Sequence, residues 1–295
     1  MKIKVIFRTA RCVTVEVEDG SIYESKQEKE IYVNGIFYDT THKTIISIYG
    51  LKPKTKYIVQ IKMEDKEANI KTETLKEFIT LNVRDFGAKG NGIQDDTPFI
   101  QAAILSCPKE SRVLIPEGTY KITSLFLKSN LRLELAKGAV LSAETDRSKF
   151  PILRGMIESY DENQEYNLGT WEGNPIDCFS SIITGIHVEH VEIYGEGIIE
   201  GNASEDNWWK NPKVKQGAFR PRMIFLNHCE DVVVQGIKVQ NSPSWNIHPY
   251  FSKHLKFLDL TVLNPKDSPN TDGLDPESCY DVEIIGVYFS LGDDC

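Results

Sequence analysis

The alternation of apolar and polar positions divides the chain into two regions. Residues 1–76 contain six or seven short runs in which β-branched or aromatic residues alternate with polar ones, and turn residues separate the runs. A period of two is typical of strands that bury one face. Strands at a spacing of roughly 8–12 residues predict a small β-sandwich. We expect residues 76–80 to form a short linker to the second region.

From residue 81 onward the pattern becomes repetitive. Several segments share a polar residue followed by apolar residues at alternate positions, and the first apolar residues are Leu131, Val191, Val232, Leu255 and Val282. A repeat of about 20–30 residues without helical periodicity predicts a β-solenoid. The interval before Val232 is longer because it holds an inserted loop at 202–219. The alternative, a two-sheet sandwich, predicts closely spaced hairpin turn dipeptides, which this region lacks.

One helix is predicted at the start of the second region. Asp95 and Asp96 precede Thr97 and Pro98, and apolar residues at helical spacing follow. Aspartates at this place are interpreted as N-cap residues. We expect the helix to cover the first coil, because the end of a solenoid otherwise exposes unpaired strand edges.

The repeats can be aligned so that each coil lies on the next. Ile247 then falls on Leu274, and Leu255 falls on Val282. In this alignment one face carries a ladder of side chains, with Asp293 beside its last member: Arg222, Trp245, Asp272 and Asp294.

The acidic ladder lowers the stability of the fold, so its presence suggests a function. Like charges on neighbouring strands repel, and close carboxylates raise each other's pKa. Such a ladder predicts a cleft that holds carboxyl groups in two ionisation states. Arg222 and Trp245 would suit a carboxylated sugar through ion pairing and ring stacking. Asp293 and Asp294 are consecutive, so both can face the cleft only if Gly292 permits a bend.

These carboxylates fit glycoside hydrolysis. That reaction needs one carboxylic acid to protonate the leaving oxygen and one carboxylate as base or nucleophile. Inverting enzymes hold the two about 6.5–9.5 Å apart so that a water fits between them. A spacing between coils near 4.8 Å, combined with divergent side chains, can reach such a gap, so we expect inversion.

Composition narrows the partners and the compartment. The chain has 34 Lys and Arg against 43 Asp and Glu, a net charge of -9, which argues against nucleic acid and requires a local basic site for any acidic ligand. No apolar run approaches a membrane span or a signal peptide. The six cysteines are dispersed and form no C-x-x-C pair, so we expect free, mostly buried thiols and a cytoplasmic location, with another export route left open.

Two spaced motifs resemble a known family. The segment "NTDG" at 270–273, followed by "GDD" at 292–294, resembles the first two signature motifs of family 28 glycoside hydrolases, the polygalacturonases. The segment "VRDFGAKGNGIQDDT" resembles the N-terminal motif of that superfamily, and residues 220–250 resemble the middle coils of the family. The resemblance covers roughly 81–295. It implies a right-handed parallel β-helix that acts by inversion and needs no metal or other cofactor.

The resemblance also implies roles for individual residues. Asp293 would be the general acid, and Asp272 with Asp294 would hold and deprotonate the water. Asn270 would orient the site. From their places in the ladder and the repeat, and not from the resemblance, we expect Arg222, Trp245 and His248 to contact the substrate. The substrate would be a pectic oligo- or polysaccharide with α-1,4-galacturonide linkages.

The N-terminal region carries a second resemblance. "YGLKPKTKYIVQI" is similar to the L-x-P-x-T-x-Y segment of fibronectin type III domains, in which the tyrosine, here Tyr57, caps neighbouring backbone with its hydroxyl. A fibronectin-like domain together with "NTDGLDPESC" is most similar to the bacterial exo-acting branch of the family. The family has two further motifs, a Gly-His-Gly-type segment and an Arg-x-Lys segment, which this chain does not contain. We therefore expect an incomplete β-helix with little activity.

Several alternatives stay open at this point. A non-catalytic polysaccharide-binding or structural β-helix, and a hydrolase of rhamnogalacturonan or xylogalacturonan, share the same pattern. Arg220 and Arg222 could instead form solvated surface pairs, and Trp208 and Trp209 could either wall a sugar subsite or pack the inserted loop. We expect His228 and His254 to lie in structural turns. A structural role and a binding role are both open for Asp275 and Glu277.

Overall fold

The structure, a computed structural model, describes residues 1–64, 66–157 and 167–295. These residues form two compact units, Met1–Ile79 and Thr80–Cys295. Each unit has a hydrophobic core of its own.

The first unit consists of antiparallel strands in two sheets. The strands are β1 (Lys2–Arg8), β2 (Val13–Glu18), β3 (Glu24–Val33), β4 (Ile36–Lys43), β5 (Ile45–Ile48), β6 (Lys56–Met63) and β7 (Lys66–Glu73). One sheet has the order β1-β2-β5 and the other the order β4-β3-β6-β7. Alternate residues of both sheets, such as Val15 and Val59, point into the shared core. The hydroxyl of Tyr57 accepts a hydrogen bond from the Lys52 amide at 2.9 Å, the contact expected from the L-x-P-x-T-x-Y segment.

A buried ion pair lies inside this unit. Lys29 Nζ is 3.0 Å from Asp19 Oδ2, and both side chains are almost completely buried. Lys29 also contacts the Ser25 hydroxyl and donates to the His42 carbonyl at 3.1 Å. Burial alone would raise the pKa of Asp19. Hydrogen bonds from Ser25, the Ser21 amide and Lys29 outweigh it and hold that pKa well below its usual range.

The second unit has one α-helix, α1 (Thr97–Ser106), two 3₁₀ turns (Val83–Phe86 and Arg147–Lys149) and short strands in its described part. The strands are β8 (Thr80–Asn82), β9 (Asn91–Asp95), β10 (Arg112–Ile115), β11 (Gly118–Ile122), β12 (Leu125–Phe126), β13 (Leu131–Leu135), β14 (Ala139–Ala143), β15 (Ile152–Leu153), β16 (Thr170–Trp171), β17 (Asn174–Pro175), β18 (Cys178–Phe179), β19 (Ile183–Ile186), β20 (Glu189–Gly195), β21 (Ile198–Glu200), β22 (Ile224–Asn227), β23 (Glu230–Gln235), β24 (Lys238–Gln240), β25 (Ile247–Tyr250), β26 (Lys253–Leu258), β27 (Thr261–Leu263), β28 (Tyr280–Ile285) and β29 (Tyr288–Ser290).

Most of these strands stack into three parallel sheets. Their orders are β28-β26-β23-β20-β13-β10-β8, β29-β27-β24-β21-β14-β11-β9 and β12-β19-β22-β25. The first apolar residues of the repeats pair with one another coil after coil, in the order Leu131, Val191, Val232, Leu255 and Val282. The predicted solenoid, a parallel β-helix, is confirmed. The two-sheet sandwich alternative is wrong for this region, because the stacked strands run parallel.

One corner of the β-helix is built from residues with left-handed backbone. The residue before each first apolar position has φ between 53° and 59°, and these residues are Asn130, His190, Asp231, His254 and Asp281. Asn, Asp and His tolerate this conformation better than other residues that carry a β-carbon. His190 Nδ1 lies 2.7 Å from Asp231 Oδ2, and His254 Nδ1 lies 2.7 Å from Asp281 Oδ2. The turn role predicted for His254 is confirmed, as is that of His228, whose φ is 52°.

Two aspartates, Asp95 and Asp96, precede helix α1 and accept different hydrogen bonds. Asp95 Oδ1 accepts a hydrogen bond from the Thr97 amide at 3.0 Å, as a capping residue does. Asp96 occupies the N-cap position without a capping hydrogen bond. Its carboxylate instead accepts from the amides of Lys89 and Gly90 at 2.8 and 2.9 Å. The N-cap prediction is therefore wrong for the Asp96 side chain, because the glycine-rich loop turns its amides toward that carboxylate.

The helix itself closes the core of the second unit. Ile100, Ala103 and Ile104 are buried in the same cluster as the strand residues Val113 and Leu133. Its inward side chains thereby cover apolar positions, as predicted for a helix at the first coil.

The inserted loop packs against the β-helix through its two tryptophans. Trp208 is fully buried and meets Phe150 and Phe179 edge-on at 5.5 and 5.7 Å. Trp209 Nε1 donates to the Ser242 carbonyl at 3.0 Å. The packing interpretation is therefore confirmed.

All six cysteines are free thiols, and four of them are buried: Cys12, Cys107, Cys178 and Cys229. The prediction of free, mostly buried thiols is confirmed. None of the described helices is both long enough and apolar enough to span a bilayer.

The buried ion pair gives a stability prediction. Replacing Lys29 with Met leaves Asp19 ionised and buried without a counter-ion, which typically costs about 3–5 kcal/mol. We expect the free energy of unfolding of residues 1–79 to fall by that amount, measured by hydrogen exchange with mass spectrometry, which follows this unit separately. The control is Lys26→Met on the exposed side of the same strand, with an expected change within about 0.5 kcal/mol. Equal effects of the two substitutions would contradict the prediction.

Candidate active site

The predicted ladder exists in the backbone of successive coils. The backbone amide of the residue after each ladder residue donates a hydrogen bond to the backbone carbonyl of the ladder residue in the next coil. The three distances are 3.3, 2.8 and 2.8 Å. The stacked positions are, in order, Arg222, Trp245, Asp272 and Asp294. The pairings of Ile247 with Leu274 and of Leu255 with Val282 follow the same alignment. The register deduced from the repeats is therefore confirmed.

Three carboxylates meet at the end of this ladder. One oxygen each of Asp272, Asp293 and Asp294 lies within 4.8 Å of the other two. Residues 291–295 form no strand, so consecutive side chains are not forced to opposite faces. A β-carbon at Gly292 would lie 2.3 Å from the Ser268 carbonyl oxygen. Glycine is thus required here for close approach to the previous coil.

The turn that carries Asp272 is tied to its neighbours by hydrogen bonds. The fully buried Thr271 hydroxyl accepts from the Gly292 amide at 3.3 Å, which links the two acidic turns. Asn270 has a φ of 54°, and its Oδ1 accepts from Arg220 Nη2 at 2.7 Å. Arg220 is buried and also donates to the Pro269 carbonyl at 2.9 Å. Asn270 is therefore held in one orientation at the rim of the acidic cluster.

The aspartates are energetically strained. Burial, together with the charges of Asp293 and Asp294, raises the pKa of Asp272 to about 6. Burial and the neighbouring Asp272 raise the pKa of Asp275 to about 7. Asp272 Oδ1 and Asp275 Oδ2 are both buried and find no hydrogen-bond partner among the described residues. Buried carboxylate oxygens without hydrogen-bond partners lower the stability of the fold, so their presence points to a functional role.

Two buried residues of the ladder, in the coils that precede the acidic cluster, form a layer with Trp171. The Arg222 guanidinium lies 4.9 Å from the ring centre of Trp171 and 5.0 Å from that of Trp245. Arg222 is 2% exposed and also contacts the Thr170 carbonyl. The alternative of solvated surface pairing is wrong for Arg222 and equally for Arg220, which is 3% exposed.

His248 belongs to the same layer. Its ring meets Trp245 edge-on at 4.8 Å, and its Nε2 lies 3.0 Å from Glu277 Oε2. Burial, helped by the charge of Arg222 and opposed by Glu277, lowers the pKa of His248 to about 4. The ring is therefore neutral near pH 7, and it is fully buried. The side chains of Arg222, Trp245 and His248 are all buried. Substrate contact by these three residues is not shown by this geometry and stays a prediction.

Trp171 is a site residue that the sequence analysis missed. It lies on the hairpin formed by β16 and β17, and its ring stacks on Trp245 at 5.0 Å. Glu172 in the same hairpin also contributes to the raised pKa of Asp272. The hairpin falls in the long interval between Leu131 and Val191, where no repeat can be aligned. Only an aromatic residue before a Glu-Gly turn marks it in the sequence.

The acidic cluster is also the one group of described side chains with the spacing to ligate a metal ion. Carboxylate oxygens suit hard divalent cations. The three aspartates alone offer few ligands for such an ion.

Comparison with known proteins identifies the family. The family model described as glycosyl hydrolases family 28 matches residues 113–295, and the one described as rhamnogalacturonase A/epimerase, pectate lyase-like, matches residues 80–136. A probable polygalacturonase of Vitis vinifera is 32% identical over 220 residues, which cover 72% of this chain and 42% of the relative. A polygalacturonase of Malus domestica is 26% identical, with coverage of 99% and 60%. The chain thus spans about half the length of these relatives.

Solved structures show the same fold. An exopolygalacturonase of Yersinia enterocolitica aligns with 99% of this chain and 64% of its own, with a TM-score of 0.71 at 21% identity. An exopolygalacturonase of Thermotoga maritima aligns with 73% of this chain and 53% of its own, with a TM-score of 0.60 at 26% identity. With a family model that matches more than half of the sequence, this chain belongs to family 28 of the glycosyl hydrolases.

Proposed function

We propose that this protein hydrolyses α-1,4-galacturonide linkages in pectic oligo- and polysaccharides, from the chain end, by inverting acid/base catalysis. The observation that carries the proposal is the meeting of Asp272, Asp293 and Asp294 within 4.8 Å at the end of one ladder of a family 28 β-helix. The names of the relatives, polygalacturonase and exopolygalacturonase, support the substrate class and the exo action.

The geometry supports a division of labour among the aspartates. Asp293 is exposed and would donate its proton to the leaving glycosidic oxygen. Asp272 and Asp294 would hold a water, which attacks the anomeric carbon and gives its proton to one of them. A water that donates bonds of about 2.8 Å to two oxygens spans roughly 4.5 Å, which lies within the 4.8 Å upper bound on the distances among the three aspartate oxygens. With a pKa of about 6, Asp272 is mostly ionised at pH 7, as a general base must be.

The carboxylate separation bears on stereochemistry. Inverting pairs are about 6.5–9.5 Å apart and retaining pairs about 5–5.5 Å, measured between carboxyl groups. The 4.8 Å bound found here applies to single oxygens of the three aspartates, whereas the ranges above are measured between whole carboxyl groups. Inversion is therefore proposed from the family, and the anomer first released decides between the two outcomes.

The remaining predicted site residues are proposed to support substrate binding. Asn270 Oδ1 is already engaged by Arg220, so its amide nitrogen is the atom that would donate to a sugar hydroxyl. Arg222, Trp245 and His248 are proposed to fix the floor, and the buried cation adds attraction for a uronate carboxylate.

We propose a fibronectin type III fold for the first unit and right-handed coiling for the second. The sheet orders β1-β2-β5 and β4-β3-β6-β7 and the Tyr57 hydroxyl contact support the former. The strong preference of parallel crossover connections for the right hand supports the latter.

The proposed reaction predicts the effect of removing the acid. Asp293→Asn is expected to slow the release of reducing ends from polygalacturonate and trigalacturonate by about 10²–10⁴-fold, because the leaving oxygen loses its proton donor. Asp267→Asn, an exposed aspartate outside the cluster, is the control and should leave the rate unchanged. Proton NMR of the first product should show the inverted anomer. A native chain no faster than the Asp293→Asn variant would refute the proposal.

The raised pKa values predict a pH-dependent gain of stability. A carboxyl whose pKa is raised from about 3.9 to about 7 by folding costs nothing below pH 4 and its full amount above pH 7. Asp275→Asn should therefore raise the free energy of unfolding by on the order of 1–2 kcal/mol at pH 8, discounted for partial exposure, and by little at pH 4. Tryptophan fluorescence measures this, since all four tryptophans lie in the second unit. A gain that is the same at both pH values, or no greater than that of Asp267→Asn, would contradict it.

A further inference from the structure

The two units carry opposite charge. Residues 1–79 contain 14 Lys and Arg against 12 Asp and Glu, whereas the whole chain contains 34 against 43. The first unit is therefore slightly basic within an acidic protein. An acidic ligand would meet less repulsion there than elsewhere on the chain.

The basic residues of this unit include a cluster that lines one groove. The groove has a volume of about 630 Å³ and lies against β6 and β7. Its lining residues are Arg8, Asn34, Lys56, Tyr57, Ile58, Lys71, Thr72 and Glu73. Three cations thus face one carboxylate.

The strand pairing explains how the cations are brought together. Lys71 lies opposite Ile58, and Lys56 lies opposite Glu73, so that all four side chains project from the same face of the sheet. Arg8 is held at the side of the groove by a hydrogen bond from its Nη1 to the Glu73 carbonyl at 3.2 Å. Among the residues that the structure describes, no carboxylate forms an ion pair with Lys56 or Lys71. Their ammonium groups are therefore available to an anion from outside.

The same face offers apolar and aromatic surface. Ile58 is 44% exposed between the two lysines. Further along, Tyr32 lies opposite Gln60 and so projects from this face, with Phe37 packed edge-on against it at 5.8 Å. Lys62 Nζ lies 4.6 Å from the centre of the Tyr32 ring. Apolar patches that face the C–H side of a sugar ring, next to cations that face its carboxylate, match a uronic acid.

We propose that this groove on the first unit is a second binding site, and that its ligand is an oligogalacturonate segment. The cations would pair with the sugar carboxylates, Ile58 would contact a sugar ring, and the Asn34 amide nitrogen would donate to a hydroxyl. The identity of the uronate rests on the proposed function, whereas the anionic character of the ligand rests on the groove alone. A nucleic acid is the less favoured polyanion, since three cations neutralise few phosphates.

The test compares two charge-matched pairs of substitutions. The full chain in an Asp293→Asn background is titrated against a fluorescent octagalacturonate and followed by anisotropy. Replacing Lys56 and Lys71 with Gln removes two charges from the groove. The control replaces Lys2 and Lys26 with Gln, which removes two exposed charges elsewhere in the same unit.

We expect the groove pair to weaken binding at least fivefold at low salt and the control pair to change it less than twofold. The difference should disappear with the methyl-esterified octagalacturonate, which carries no charge. Equal weakening by both pairs, or undiminished binding by the groove pair, would overturn the proposal. So would a duplex DNA oligonucleotide that binds the groove more tightly than the sugar does.

A separate arm distinguishes this site from the catalytic proposal. Without the Asp293 substitution, the groove pair should hydrolyse digalacturonate at the native rate, because so short a substrate needs only the acidic cluster. Binding that depends on the groove in a chain without hydrolysis would refute the catalytic function alone. Hydrolysis in a chain whose two pairs bind alike would refute the groove alone. Thermal unfolding of each variant checks that the first unit stays folded.

Discussion

Parallel strands in a β-helix form hydrogen bonds only when each coil repeats the path of the one before it. This constraint fixes the position of every side chain along the stack, because a shift of one residue would exchange inward and outward faces. It carries Arg222, Trp245, Asp272 and Asp294 into one line although tens of residues separate them in the sequence. The backbone register therefore brings the acidic residues together, and the local turns set the final positions of their carboxylates.

The cost of that arrangement is visible in the residues around it. Gly292 is needed because the second acidic turn presses against the Ser268 carbonyl. Asp272 and Asp275 each keep a buried oxygen without a partner in the described structure. A coil whose only task was stability would hold apolar or amide side chains at these places. In the preceding coils, by contrast, the Arg222 guanidinium packs against the rings of Trp171 and Trp245.

What the sequence could predict follows the periodicity. Leu131, Val191, Val232, Leu255 and Val282 are found by pattern because each coil demands an apolar residue at the same point, and the register of Asp272 with Asp294 follows from them. Trp171 could not be predicted as a site residue because its hairpin lies outside the repeat. The burial of Arg222 and His248 could not be predicted either. The repeat shows which side chains point outward from the coil, but it does not show which of them other residues cover. Asp96 was misjudged because its partners are backbone amides, which leave no trace in residue type.

The left-handed corner has a consequence for how such a protein can change in length. Along it, His190, Asp231, His254 and Asp281 alternate in type, and each histidine is bonded to the aspartate of the following coil. The alternation repeats every two coils, although the backbone repeats every one. Duplication of a single coil in this stretch would place two histidines or two aspartates in succession, and one of them would lie outside the His–Asp contacts seen here. Duplication of coils in pairs would instead keep every histidine next to the aspartate of the following coil.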